Sequence, residues 1–390
     1  MIPDVVIMGA RYKTALSSSK VYEDLNLLFL KYNEQGEAVP SDGITIGYQL
    51  LPWLSRFLGV DINNLINIIF YSSALIFFSL GAYSILRLNF NMRLKAVSLI
   101  FLTFSYYFVI SETFFIVASY SFYFFWGSAI LIIVSLNFKH ISQSKLILVA
   151  LILSFLMILT GLFRDFSYWI FITFFITYLI FEIHWSKKIR LVCIIILLLP
   201  FVANKIVHSK TNEVQIKNYY SIYKKDFDTK IIQGASWEMT VFAGLAFLQN
   251  QYISEFRDQA VADFLRERNE NYTLMITEEN HKILRDELVS ILKKDRNFIF
   301  RVITAKIGVL LAWLVIFANV GLFYLFSSKI QKKLKYSFML AVPTSFLVPL
   351  MALPVTFYNT GLVGLSTCLC ICGILNFNFS IFKEQLKKIF

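Results

Sequence analysis

The apolar residues of this chain come in unbroken blocks of roughly 16 to 24, the length of a helix that crosses a bilayer rather than of one that covers a soluble core. Blocks of this kind run approximately from Leu65 to Leu86, Ala96 to Ile110, Phe114 to Leu136, Leu146 to Phe163, Phe166 to Ile183, Leu191 to Val207, Ile303 to Phe326, Phe338 to Leu353 and Val355 to Leu375. Only 16% of the 390 residues are charged while 57% are apolar, against about a quarter charged in soluble domains, so the excess must face lipid. The expected fold is all-α, a polytopic membrane helical bundle of about nine spans. Residues 62–207 hold spans one to six and 301–390 hold spans seven to nine with a short cytoplasmic tail.

Lysine and arginine set the orientation, because cytoplasmic loops retain them. With the amino-terminal segment outside, the inner loops carry fifteen bases, among them Arg87, Arg93, Lys95, Lys187, Lys188, Arg190, Lys332, Lys333 and Lys335, against only Glu182 and Glu384. The outer segments then hold 22 bases and 23 acids. The net charge of +12 is thus a topology signal, and no nucleic-acid partner is implied. The expected location is an integral multi-pass membrane protein, with a bacterial inner membrane as the natural setting, residues 1–61 and 208–300 outside and the carboxyl terminus in the cytoplasm. An external amino terminus with no preceding span or signal peptide leaves two readings: an initial span lies upstream of Met1, which is favoured, or the tail is carried across by the first span.

Within 1–61, Ser17 to Asn33 has a helix-compatible pattern with Gly36 as its stop. After a turn at Pro40 to Gly43, Gly47 to Gly59 places Leu50, Leu51, Leu54, Phe57 and Leu58 on one face, with Trp53 and Arg56 suited to headgroups. That helix should lie on the membrane, and packing of the same face on spans is compatible with this. Residues 208–300 contain two helical runs, Ser254 to Arg268 and Thr277 to Lys294. They predict a partly helical external cap with too few apolar clusters to fold alone, docked on the first loop.

Ionisable groups are nearly absent from the span centres; Lys306 falls near an outer end and Glu182 near an inner one. This counts against an ion-coupled transporter, which keeps such groups at mid-membrane. Acids and bases collect instead at the outer face: Glu23, Asp24 and Asp42 in the first loop, Glu112 in the second turn, and Arg164 with Asp165 in the third.

The block of residues 19 to 86, a long external loop with carboxylates followed by interfacial helices and a span, resembles the GT-C class of polyprenyl-phosphate-dependent glycosyltransferases. Its stretch Tyr48-Gln-Leu-Leu-Pro-Trp-Leu-Ser-Arg-Phe-Leu-Gly59 is similar to that family's Tyr-Pro-x-x-x-x-Leu…Gly element. The likeness covers about a fifth of the chain. Two features depart from the pattern: the family's first span is missing, and Glu23 and Asp24 follow the loop tyrosine Tyr22 instead of preceding it. The resemblance implies transfer of a sugar from a polyprenyl-phosphate-linked donor to a glycan or glycolipid, with membrane lipid around the site. A carboxylate would deprotonate the acceptor hydroxyl, with Asp24 the first candidate and Glu23 and Asp42 behind it. A cation, Arg164 first, would hold the leaving phosphate, and Asp165, Glu112, Arg56, Trp237 and Glu238 would line substrate. No firm cofactor is implied, although a divalent cation is compatible with the chemistry. A polymerase or ligase of lipid-linked oligosaccharides, and a non-enzymatic translocator or assembly partner, are the alternative readings.

The same residues have plainer roles open to them. Glu23 and Asp24 would complement the dipole of a helix beginning near them, Arg164 and Asp165 would pair with each other, and Trp237 and Glu238 would sit in a structural loop. His208 and His281 are isolated, which argues against a metal. Cys368, Cys370 and Cys372 read as buried packing. The sequon Asn271-Tyr-Thr273 is external on this topology and carries meaning only in a glycosylating compartment.

Overall fold

The computed structural model describes residues 10–33, 36–40, 46–113, 118–137, 143–163, 169–182, 185–224, 237–256, 258–269, 278–327, 330–355 and 358–376. It is an almost wholly helical assembly. The first loop comprises α1 (Ala10–Leu25), the strands β1 (Leu30–Tyr32) and β2 (Ala38–Pro40), and α2 (Ile46–Leu58). Then come α3 (Ile62–Leu86), α4 (Met92–Thr113), α5 (Ala118–Asn137), α6 (Gln143–Phe163), α7 (Trp169–Ile180) and α8 (Lys187–Tyr223). A cap follows, with α9 (Trp237–Gly244) running into a 3-10 turn, α10 (Asp258–Arg268) and α11 (Glu278–Lys294). The last elements are α12 (Arg296–Ala318), α13 (Val320–Phe326), α14 (Lys332–Met351) and α15 (Thr360–Leu375).

Six helices, α3, α4, α6, α8, α12 and α14, are long and apolar enough to cross a membrane. Their outward residues are themselves apolar: Leu75 and Ile76 on α3, Ile100 on α4, Phe155 on α6 and Val202 on α8 are all exposed. Water would penalise that surface, and lipid does not. The interior reverses this arrangement. Every residue of α15 is buried, packed against α4, α5, α12, α13 and α14. Close approach there depends on small residues. A Cβ on Gly373 of α15 would fall 2.8 Å from the Cα of Gly321 on α13, so the two backbones touch.

Helix ends pair consistently. Glu182, just after α7, and Lys333, at the start of α14, form a buried ion pair, with the Lys333 ammonium 4.8 Å from the Tyr178 ring centroid. At the opposite end of α14, the buried Lys306 of α12 donates to the carbonyls of Leu350 at 2.9 Å and Ala352 at 2.6 Å. A cation on the last carbonyls of a helix satisfies acceptors that have no intrahelical donor. Gly244 of α9 meets the same place, where a Cβ would lie 2.6 Å from the Ala352 oxygen and 2.9 Å from Lys306 Nζ. Lys306 therefore marks the joint between cap and bundle.

Four expectations change in detail. The helix over Ser17 to Asn33 stops at Leu25, because Asn26 (φ 55) and Phe29 (φ 66) turn left-handed and Leu30 to Tyr32 pair antiparallel with Ala38 to Pro40; Gly36 serves that hairpin and not the helix end. The block ending at Val207 continues as helix to Tyr223, 37 residues in all and about 55 Å at 1.5 Å per residue, with its last turns in the hydrophilic stretch that begins at His208. The block from Ile303 to Phe326 is broken at Asn319 (φ 38). The cap, finally, has a core of its own, in which Phe242, Val261, Leu265, Leu284, Ile291 and Phe298 are buried together.

That core is seated on α12 and α14. The part of the 208–300 stretch that docks on the first loop, as expected, is the end of α8. The Ala38 amide donates to the Tyr223 hydroxyl at 3.0 Å, the Asn218 amide side chain to the Leu28 carbonyl at 2.9 Å, and Ile222 packs on Val21, Leu30 and Ala38. Cys193, Cys368, Cys370 and Cys372 are buried free thiols, and no metal-binding cluster of His, Cys, Asp or Glu exists among the described residues.

Candidate functional site

Two polar assemblies stand outside the bundle. The first is built where α1 ends. Tyr22, Glu23 and Asp24 occupy its last turn, where the exposed backbone carbonyls already carry partial negative charge; two carboxylates are disfavoured there, each by about 0.3–1 kcal/mol. The simple helix-dipole explanation for Glu23 and Asp24 requires the opposite end of a helix and is overturned by this position. The reversal at Asn26 brings β1 back alongside, so that the Tyr32 hydroxyl donates to Asp24 Oδ2 at 2.9 Å. Ser17 fixes that strand, accepting from the Tyr32 amide at 2.8 Å and donating to its carbonyl at 3.2 Å. Ser19 donates to Glu23 at 3.3 Å. Both carboxylates are exposed. Partial burial and the Asp24 carboxylate together push the Tyr32 phenol above its ordinary value.

Helix α2 brings a cation to the same place. Arg56 donates to Asn26 Oδ1 at 3.3 Å, and its guanidinium lies 5.5 Å from the centroid of the Tyr22 ring. One side of α2 buries Leu51 against Ile62, Leu65 and Ile66 of α3. The other side leaves Trp53 and Phe57 exposed and stacked at 5.6 Å between ring centroids. The two possibilities left open for this helix are thus divided between its faces, with packing on a span on one side and a greasy, aromatic surface on the other.

The second assembly lies in the cap, where the start of α9, the end of α10 and the first turns of α11 converge. Glu238, only 2% exposed, accepts from Arg285 Nε at 3.1 Å and Nη2 at 2.6 Å. His281 and Arg285 are one helical turn apart on α11 and so share a face. Burial pushes the Glu238 carboxyl up, but the hydrogen bond and charge of Arg285, its own backbone and the nearby His281 outweigh this and hold it below the carboxylate range. Burial also lowers the His281 imidazole, with Glu238 opposing and Arg285 reinforcing the shift. Asn269 donates to Asn280 at 2.7 Å, both buried. Trp237 is 53% exposed at the rim.

Among the residues singled out from the sequence, Glu23, Asp24 and Arg56 are brought to one patch, and Trp237 and Glu238 to another. Glu112 is exposed at the end of α4, in neither patch. Asp42, Arg164, Asp165 and the sequon at Asn271 lie outside the described residues. Sequence reasoning missed Tyr32, Arg285 and His281 as parts of these assemblies. Tyr32 and Asp24 are linked by a reversal with no Gly or Pro to announce it, and Arg285 is 47 residues from Glu238. Comparison with protein families, curated proteins and solved structures returns no match for this chain.

Proposed function

We propose that this chain is an integral membrane glycosyltransferase of the polyprenyl-phosphate-dependent kind, moving a sugar from a lipid-linked donor to a glycan or glycolipid on the non-cytoplasmic face. The observation that carries the reading is the pair Glu23 and Asp24 at the unfavourable end of α1, with Asp24 held by Tyr32 and Arg56 brought to the same turn by a helix with an aromatic outer face. A carboxylate and a cation at the lipid surface are what transfer from a lipid-linked phosphate needs.

In the proposed reaction Asp24 takes the proton of an acceptor hydroxyl, and the oxygen attacks the anomeric carbon of the donor. The carbon–oxygen bond to the carrier breaks, and the electron pair leaves on the polyprenyl phosphate. Arg56 stabilises that anion, joined by Arg164, which follows Phe163 at the end of α6 in the chain. A nine-span topology belongs to the same reading. The six long helices are joined by the shorter α5, α7 and α15, and the end pairs Glu182 with Lys333 and Lys306 with Ala352 fit alternating directions. The first loop and the cap are then both outside.

The test is transfer in isolated membranes from a radiolabelled polyprenyl-phosphate sugar to endogenous acceptors. Asp24→Asn should reduce the rate about 10²- to 10⁴-fold, the span of a lost general base. Full activity in both Asp24→Asn and Glu23→Gln would overturn the assignment.

A further inference from the structure

The cap cluster is expensive to build for a purely structural element. Glu238, Asn269, Asn280 and His281 are all buried, in a region whose remaining interior is the apolar core around Phe242 and Leu284. Burying polar groups stabilises little, and each one left unpaired costs about 1–3 kcal/mol. One of them is unpaired: His281 is 6% exposed, and its Nε2 finds no hydrogen-bond partner among the described residues. His281 stands one helical turn before Arg285 on α11, on the side of that helix from which Arg285 reaches Glu238. The Arg285 side chain of this network is 57% accessible, and the exposed Trp237 precedes Glu238 at the start of α9.

The chemistry of the cluster limits what it would hold. An anion would meet the Glu238 carboxylate, and a cation would meet Arg285. A purely apolar ligand would leave His281 as unsatisfied as before. A ligand without charge, rich in groups that both donate and accept, and with one apolar face to lay on an aromatic ring, fits every member. That description is a saccharide: its hydroxyls suit the imidazole and the guanidinium, and its C–H face suits indole.

We propose that Trp237, Glu238, His281 and Arg285 form a subsite for an uncharged sugar. The proposal rests on the transferase reading and deepens it by making the acceptor a glycan held by the cap. The Lys306 joint connects the subsite to the bundle, since Gly244, on the same short helix as Glu238, packs against Lys306 and the end of α14.

The experiment uses the full chain in nanodiscs and a panel of glucose, galactose, mannose, N-acetylglucosamine and their β-linked disaccharides, followed by saturation-transfer NMR and titration. At least one sugar should bind. Trp237→Ala, at an exposed position where folding is not at stake, should weaken it at least tenfold, and His281→Phe should do the same, with unfolding temperatures recorded for both. Asp24→Asn should bind the sugar as the parent does while losing transfer, so the subsite and the catalytic assignment fail separately. The proposal is overturned if no sugar on the panel binds, if both variants bind as tightly as the parent, or if inorganic phosphate displaces the bound sugar.

Discussion

Gly321 and Gly373 meet backbone to backbone, with the position a Gly373 Cβ would take lying 2.8 Å from both the Cα and the nitrogen of Gly321. No flexible side chain stands between α13 and α15 to move aside. Gly373→Ala should therefore destabilise the protein by about 1–3 kcal/mol, the usual cost of overpacking. Gly308→Ala is the control, because nothing lies within 4 Å of the added methyl and alanine favours helix. Thermal unfolding in detergent separates them; equal midpoints for the two variants would contradict the contact.

Tyr32 holds Asp24 by one hydrogen bond to a charged acceptor, an interaction worth about 1.5–3 kcal/mol. Tyr32→Phe should leave the fold intact and slow transfer about ten- to a hundredfold. The acceptor KM should change little, because the ring does not stand in the cap. A Tyr32→Phe enzyme with unaltered kcat would show that orientation of Asp24 is immaterial.

Trp53 and Phe57 should anchor α2 in the lipid headgroup layer. A nitroxide attached through Phe57→Cys is expected at about 5–10 Å below the headgroup boundary, protected from a water-soluble nickel relaxant and accessible to oxygen. A label at Gln49, which faces the protein interior at 1% exposure, should be sheltered from both. Free access of nickel to residue 57 would place this face in water.

Acid should loosen the cap. The Glu238 carboxyl and the His281 imidazole both titrate lower in the folded protein than in an unfolded chain, so the folded state binds fewer protons and their contribution is lost as pH falls. The loss begins near the ordinary imidazole value of 6.5 and deepens through the carboxylate range. Amide exchange in α9 and α11 should accelerate below that pH, and His281→Phe should remove the upper part of the change. Exchange that is constant from pH 7 to 4 would count against this linkage.

Long apolar helices were legible because spanning segments must satisfy their own backbone and need about 20 apolar residues to do so. Interruptions were not. Leu27, Leu28 and Leu30 continue the spacing of α1, yet Leu30 is buried as a strand residue against Val21 and Ala38, since a short apolar run serves helix and strand alike. Asn319, at φ 38, breaks α12 from α13 inside an apolar run whose hydropathy reads as one continuous span.

At the candidate sites, the residue types were legible and their partners were not. Glu23 and Asp24 drew attention as acids in an outer loop, but their place at the end of α1 follows from a helix that starts at Ala10, well before the apolar pattern that suggested it. Glu238 was visible beside Trp237. Its partner Arg285 and neighbour His281 come from α11, and no local periodicity reports which turn of one helix will face the start of another.

The burial of α15 on every side also bears on how the protein is made. During synthesis from the amino terminus, the helices that surround α15 emerge before it, so they enter the bilayer around a vacancy that only α15 can fill. Assembly therefore cannot finish span by span with translation. It must wait for a segment delivered after all of its neighbours, and the earlier helices are left as the clients of whatever holds membrane segments apart until then.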